Sequence, residues 1–473
     1  MDRNVSQSVG DYDLGQVAVF GSSGTPINIT NQVQELNIYQ DIDTPFVTGS
    51  LVISDAQAVS EITPFLGQER LVFTLKTPGG FPLNFTDYHA VIYNVQRRFQ
   101  DSERSQTLLL NFTTLECYKN IRKKISRSFS ANISEIAFEI LKSDEFLGSK
   151  KSLYIDTTAN IRNYVCPNLR PYQMLRFLKE EAVTPEQQPY FVFFENGRGI
   201  HFRSIDSLIG GQGSTSMPHV RAYKYQPRQT NRDIDGGTST ILSWELVDSS
   251  NTLTNSRAGM FASTLYTHDI YNKNLNKYSF DYINNLFKQR NSLNHDSSGY
   301  GPMLSETKVD DDNMITDFPD SKIFLHPECE NANLASSWMQ ESFSRHLEKQ
   351  FYKIRITVFG DTQVNCGDVI SIRIPSNRPL KQGEGTEAYD NIISGRYLIT
   401  SLKHSINHPE QQHSMVIEAM KDSVIRSLPT VDIQYPVEPP KASDYGLAME
   451  KKNFVPSKRI SSVTDAMKAS ILG

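Results

Sequence analysis

Much that a catalytic or membrane protein displays is scarce in this chain. Cysteine occurs four times in 473 residues, at Cys117, Cys166, Cys329 and Cys366. None stands in a C-x-x-C pair, and the spacings outline neither a zinc site nor a disulfide framework, so free thiols in a reducing cytosol are expected. No run of about 18 apolar residues occurs, which excludes a membrane-crossing helix. Met1–Gly15 is polar, with no charged start leading into an apolar stretch, so no secretory signal is expected and the N-x-S/T matches at Asn28 and Asn111 carry no glycan. Charge of one sign is missing too. Lys+Arg 48 against Asp+Glu 53 gives a formal net charge of −5, spread along the chain without a basic arm or acidic tail. Nucleic acid and anionic membranes are therefore not indicated as main partners. There is no G-x-S-x-G, and Gly210–Gly213 lacks the following Lys-Ser/Thr and the strand-to-helix setting of a phosphate loop. The apolar share of 38% is low for a single large core, and the length points to roughly three or four domains.

What is present is mostly strand. Val33–Tyr39, Val47–Ile53, Gln68–Lys76, Ala90–Val95 and Thr107–Thr113 are predicted strands. Leu71, Phe73 and Leu75 alternate with Val72 and Thr74, the period of a half-buried strand, and Thr77-Pro78-Gly79-Gly80 turns the chain after it. The pattern then changes. Asn132 or Ser134 caps a helix whose Ile133, Ile136, Ala137, Ile140 and Leu141 share a face, and Pro171 starts a second helix with Leu175, Leu178 and Ala182. Asn196-Gly197 between Tyr190–Phe194 and Ile200–Phe202 predicts a hairpin. Gly210–Ser214 and Gly236-Gly237 are breaks. Strands are predicted at Ile241–Val247 and Met260–Thr267, a helix at Tyr278–Arg290, and a polar loop-rich stretch from Asn291 to about Asp320. A further helix over about Asn333–Lys349 puts Met339, Phe343 and Leu347 on one face. Strands return at Tyr352–Phe359, Val369–Ile374, Arg396–Lys403 and His413–Ala419, and a Pro-rich arm closes the chain.

One stretch echoes another. Ile92–Phe112 overlays Ile399–Ala419 without a gap, matching Ile92 with Ile399, Val95 with Leu402, Phe99 with Ile406, Leu110 with Ile417 and Phe112 with Ala419. Upstream, Leu71, Phe73 and Leu75 echo Ile370, Ile372 and Ile374, each set after a glycine turn at Gly67 or Gly367. A β unit occurring twice in one polypeptide is the expectation. Two like units per chain would let three chains present six, matching a sixfold ring on one side and a threefold object on the other.

The order Leu36-Asn37-Ile38-Tyr39-Gln40-Asp41-Ile42, Thr48-Gly49-Ser50-Leu51-Val52-Ile53-Ser54-Asp55, Leu66-Gly67-Gln68-Glu69-Arg70-Leu71 and, late in the chain, Gly367-Asp368-Val369-Ile370-Ser371-Ile372 is similar to the baseplate central hub protein of contractile-tailed bacteriophages. It also resembles the hub part of type VI secretion spike proteins, and Tyr164-Val165-Cys166-Pro167-Asn168 leading into Pro171 fits the same family. The resemblance covers roughly residues 15–424. It implies a homotrimer whose two tube-forming barrels per chain make a pseudo-sixfold ring. That ring would join the hexameric tail tube to the trimeric central spike and line the channel for the tape measure protein and DNA.

The resulting expectation is a mainly β protein with α+β insertions and two similar antiparallel β-barrel (tube-forming) domains. Residues 1–117 form the first barrel and 118–215 an α+β insertion. Residues 216–265 with 335–424 form the second, discontinuous barrel, 266–334 an insertion with helix and loops, and 425–473 an extended C-terminal arm. Expected partners are other copies of the chain, the central spike, tail tube or tube-adaptor proteins, baseplate wedge proteins, and transiently the tape measure protein and DNA. Membrane insertion is not expected. The location is the virion baseplate, after assembly in the host cytoplasm.

No residue is assigned as catalytic, cofactor-binding or metal-ligating, and no cofactor is expected. His404, His408 and His413 form the densest histidine cluster and are expected as exposed hairpin residues rather than ligands. Asp310-Asp311-Asp312-Asn313 lacks the glycine turn and closing glutamate of a calcium loop. Glu180 and Glu181 are expected as solvated helix-surface carboxylates. Arg97 and Arg98 would either line a channel and ease DNA passage or form a charged rim that prevents sheet aggregation. The alternatives are a tail-associated cell-wall or polysaccharide hydrolase, which would need paired carboxylates in a groove, and the hub of a bacterial contractile injection or type VI system. A built-in hydrolase domain after Val424 is not expected.

Overall fold

The structure is a computed structural model that describes residues 10–21, 24–56, 59, 65–102, 105–210, 221–226, 238–269, 272–282, 293–294, 320–325, 335–376, 389–390 and 392–423. The predicted C-terminal arm, Asp310–Asn313, Gly211–Ser214 and Gly236-Gly237 lie outside these residues. The protein is mainly β, and one large sheet of thirteen strands dominates it. In chain order its strands are β1 (Ala18–Phe20), β2 (Pro26–Asn28), β3 (Val33–Asp41), β4 (Thr48–Asp55), β5 (Arg70–Val72), β6 (Ala90–Ser102), β7 (Ser105–Thr114), β8 (Arg221–Tyr225), β9 (Thr240–Ser249), β10 (Tyr352–Phe359), β11 (Val369–Arg373), β12 (Gly395–Asn407) and β13 (Gln412–Lys421). Their lateral order is β11-β8-β9-β10-β13-β12-β3-β4-β7-β6-β5-β1-β2, and a further β11–β12 pairing closes the first six into a circuit.

Five strands of the first half and five of the second are laid out alike. The order β3-β4-β7-β6-β5 is antiparallel throughout, and so is β9-β10-β13-β12-β11. The register agrees as well. Ile92 faces Phe112 and Asn94 faces Asn111, with Tyr93 bulged out between them. Ile399 faces Ala419 and Ser401 faces Glu418, with Thr400 bulged out at the same place. Leu71 faces Ala90 as Ile370 faces Tyr397. Gly67 and Gly367 both hold positive φ, +91° and +89°, which a side chain disfavours. The echo is not gapless throughout: an extra bulge at Gln96 shifts Arg97–Gln100 by one residue, so Phe99 does not stand where Ile406 stands. A bulge adds a residue to one strand only, which apolar matching along a single strand does not reveal.

The alternating apolar residues of each set point to its own core. Leu36, Ile38, Leu51, Ile53, Leu108 and Phe112 bury together in the first, and Ile354, Ile356, Ile370, Leu402, Met415 and Ile417 in the second. Each such side chain contributes about 1.5–3 kcal/mol by leaving water. Phe73 stacks on Phe85 at 4.6 Å and meets Phe112 edge-on at 5.7 Å. The two cores are tied by β12, which pairs with β3 and sends Ile406 into the first core.

Between the two sets the chain forms the predicted α+β segment. Helix α1 (Ile133–Lys142) starts at Asn132, whose N–H donates to the Glu135 carboxylate at 3.4 Å, and helix α2 (Pro171–Glu181) starts on its proline. Both pack on Phe129, Phe191, Phe193 and Phe202. The hairpin Phe191–Asn196 to Gly199–Ser204 turns at Asn196-Gly197 as its sequence requires. Cys117, Cys166 and Cys366 are free.

Two elements differ from expectation. Asn274–Asp281 is a strand paired with Ala262–Asp269, not the start of a helix; the rest of that predicted helix, 283–290, is outside the described residues. The backbone groups of Tyr278–Asp281 are satisfied by the neighbouring strand, which outweighs the helical spacing of a few apolar residues. Helix α3 begins later than expected, at Met339–Glu348; Met339, Phe343 and Leu347 share a partly covered face, while Gln340, Ser344, Arg345 and Glu348 are buried. Burial there follows buried acceptors and acids, described below, rather than apolar spacing.

Candidate assembly surfaces and the polar junction

Strands β6 and β9 begin inside and end outside. In β6, Val91 and Ile92 are buried, Tyr93 and Asn94 exposed, Val95 half-buried and Gln96–Gln100 exposed. In β9 the sequence of states repeats: Thr240 and Ile241 buried, Leu242 and Ser243 exposed, Trp244 half-buried and Glu245–Ser249 exposed. The cause is the shortness of their outer neighbours. β5 reaches β6 only at Ala90 and Val91, and β8 reaches β9 only at Thr240 and Ile241. Beyond those residues one edge of each strand pairs with no strand among the described residues. Such edges invite another strand. Their side chains include Phe99, 52% exposed, and Leu246, 45% exposed. Arg97 and Arg98 thus sit on a strand edge, with Arg98 Nε donating to Gln106 Oε1 at 2.7 Å. The opposite charges, Glu245 and Asp248, sit on β9.

The α+β segment is fastened to both halves by buried polar contacts. Arg198, on the hairpin turn, binds Asp368 through two bonds, Nη1–Oδ1 2.5 Å and Nη2–Oδ2 2.8 Å. The adjoining Gly197 N–H donates to Asn365 Oδ1 at 3.1 Å, and Gln40 of β3 accepts from the Cys366 N–H at 3.0 Å. Lys151 lies between Glu116, at 2.7 Å, and Glu195. Burial raises the Glu116 carboxyl, but the Lys151 ammonium outweighs it and holds the group below its ordinary value. Wholly enclosed Glu195 is pushed up by burial, with Lys151 opposing and Glu116 adding to the rise. One ammonium cannot fully offset two buried carboxylates. The cavity that Lys151 and Glu195 line holds about 40 Å³. On α3, Arg345 meets Asp206, Glu348 at 3.0 Å and Asp422 at 3.8 Å, and Glu348 also accepts from the Tyr282 hydroxyl. Sequence reasoning missed both clusters because their members lie far apart along the chain. The one available signal was charge placed among apolar residues.

The histidines correct the expectation of exposure. His404 and His413 are fully buried and face each other, Nδ1 to Nε2 at 3.2 Å. They point inward because they share the face of Met415 and Ile406, set by the period of β12 and β13. Gly360 leaves room for the His413 ring, where any Cβ would overlap it. His408 alone stands at the turn, half-buried, bonded to the Tyr12 hydroxyl at 2.8 Å. Burial lowers His404 to about 4, and burial with the neighbouring His404 lowers His413 well below its ordinary value. Among the described residues no three or more His, Cys, Asp or Glu side chains converge as a metal site. Glu180 is exposed on α2, whereas Glu181 pairs with Arg162 at 3.3 Å. Gly210 ends a short helix, Ile205–Gly210.

Fold and surfaces together define a mainly β chain with a duplicated strand set and, among the described residues, unpaired edges on the outer halves of β6 and β9. Solved structures similar to it include tail and secretion-system proteins. One is a tail protein from Neisseria meningitidis, 12% identical, with 87% of this chain and 97% of that one covered and a TM-score of 0.48. Another is the 43 kDa tail protein of prophage MuSo2 from Shewanella oneidensis, 10% identical, covering 87% and 99%, TM-score 0.49. A third is an Escherichia coli component of the type VI secretion system, itself described as structurally similar to bacteriophage T4 tail proteins, 10% identical, covering 82% and 73%, TM-score 0.41. No protein-family model matches the chain, and no curated protein sequence matches it.

Proposed function

We propose that the protein is the structural hub of a phage tail baseplate. In this reading it is a homotrimer in which residues 1–117 and residues 216–265 with 335–424 act as two tube-forming barrels, while 118–215 and 266–334 are insertions. Six barrels form a pseudo-sixfold ring that joins the hexameric tail tube to the trimeric central spike. The ring encloses the channel for the tape measure protein and DNA, and wedge proteins bind its outside. The chain acts by binding and force transmission, without catalysis.

The observation that carries this reading is the repeat. Two strand sets share order, register and a bulge, and they meet through unlike strands, β12 of one and β3 of the other. A contact between unlike faces of like units is heterologous and propagates into a ring if each step turns by the same angle. Buried acids support a non-catalytic role, since Glu116 and Glu195 are both engaged by Lys151. Native mass spectrometry of the purified full chain is expected to give three copies, and electron micrographs a particle with a central hole. A monomer, or a stoichiometry other than three, would remove the reading.

A further inference from the structure

Within one chain the second strand set docks on the first through a defined register. Lys403 faces Tyr39, His404 faces Ile38, Ser405 faces Asn37 and Ile406 faces Leu36. The inward members, His404, Ile406, Leu36 and Ile38, are fully or almost fully buried by this pairing. The repeat says which strands correspond: β12 to β6, and β3 to β9. Those are the two strands whose second halves are exposed and whose edges lack a strand among the described residues. Each chain therefore carries one used copy of the docking contact and one unused copy, divided between its two ends.

Resting on the hub reading, we propose that β6 of one copy adds to β9 of the next copy, antiparallel, in the register that β12 uses with β3. The register follows through the partner strands. Leu109 and Val416 are equivalent, so Arg97 corresponds to Lys403. Thr48 and Lys353 are equivalent, so Asp248 corresponds to Tyr39. Arg97 of one copy then lies directly opposite Asp248 of the next, with Glu245 diagonal to it on the same face. Inside the chain this place is held by the Lys403 ammonium over the Tyr39 ring at 5.8 Å. One step further, Arg98 faces Leu246, and its guanidinium comes diagonal to the Trp244 ring. The charges agree with a second copy as occupant: the β6 edge contributes Arg97 and Arg98, the β9 edge Asp248 together with Glu245, which is paired within the chain to Arg355. Two β6 edges would set arginines against arginines, and two β9 edges carboxylates against carboxylates, so the contact runs head to tail and does not close as a twofold dimer.

Cross-linking tests the register in the full chain. Directly opposite residues on antiparallel strands have Cα atoms about 4.5–5.5 Å apart, within disulfide range. Arg97→Cys combined with Asp248→Cys is expected, on oxidation, to give covalent dimers and trimers on a non-reducing gel. Neither single variant should do so, nor Arg97→Cys with Leu242→Cys, whose second site lies about 20 Å along the strand. Both positions are exposed, so the variants should fold, and circular dichroism checks it. Arg97→Glu is expected to raise the dissociation concentration of the assembly about tenfold or more. If the unmodified chain assembles, yet the double variant fails to cross-link and Arg97→Glu assembles as before, the strand pairing is overturned while the ring stands. A chain that stays monomeric at every concentration overturns both.

Discussion

Two buried histidines illustrate what a single side chain costs and permits. His404 and His413 share one hydrogen bond, and their remaining ring nitrogens, His404 Nε2 and His413 Nδ1, have no partner among the described residues. Among the described residues no charged side chain is hydrogen-bonded to either ring: the Tyr12 ring lies 6.2 Å from the His413 ring, and Gly10, Gly360 and Met415 lie beside the pair. Protonation would place charge in an apolar site with nothing to offset it. The unfolded chain takes up protons near pH 6.5, whereas folded His404 does so near 4. The unfolded state therefore binds more protons between those values, and stability is full above about 6.5 and is lost as pH falls towards 4. The melting temperature is expected to drop steadily across that window, by an amount equivalent to roughly 3 kcal/mol for His404 alone. His404→Asn should lower stability at neutral pH but flatten the slope. An unchanged slope would show that other groups set the pH dependence.

At the scale of elements, the hairpin that carries Arg198 acts as a clamp between the α+β segment and the turn before β11. Arg198 is mostly covered and makes three bonds there, two to Asp368 and one to the Gln363 carbonyl at 3.0 Å. Asp368 also caps its own turn by accepting the Asn365 N–H at 2.9 Å, as Glu69 caps the equivalent turn by accepting the Gly67 N–H at 3.0 Å. Arg198→Ala leaves a buried carboxylate without its cation. The expected loss is about 3–5 kcal/mol in urea denaturation. Arg198→Lys, which keeps the charge but not the planar fork, should recover part of it. Equal stability of all three proteins would show that the clamp is ornamental.

For the whole molecule the consequence of the duplication is geometric. In the proposed ring, a chain whose own halves dock head to tail offers the outer halves of β6 and β9 to the neighbouring copies. Glu116 and Glu195 are both buried and engaged by Lys151, and the cavity that Glu195 lines holds only about 40 Å³. Purified chain added to a peptidoglycan suspension is therefore expected to leave its turbidity unchanged. Clearing would replace the structural reading with an enzymatic one.

Much of this was legible along the chain. Period-two alternation at Leu71–Leu75 and Tyr352–Val358, the Asn196-Gly197 turn, the Asn132 and Pro171 helix starts, and the match of Ile92–Val95 with Ile399–Leu402 are local properties, and local sterics and burial decide them. What only the tertiary structure decided are relations between distant residues: β12 beside β3, the extra bulge at Gln96 that changes the register, His404 turned onto His413, and Arg345 of α3 drawn inward by Asp206 and Asp422. Alternation tells a strand which face to bury but not which neighbour to take, because the backbone hydrogen bonds that choose a partner are the same for every sequence.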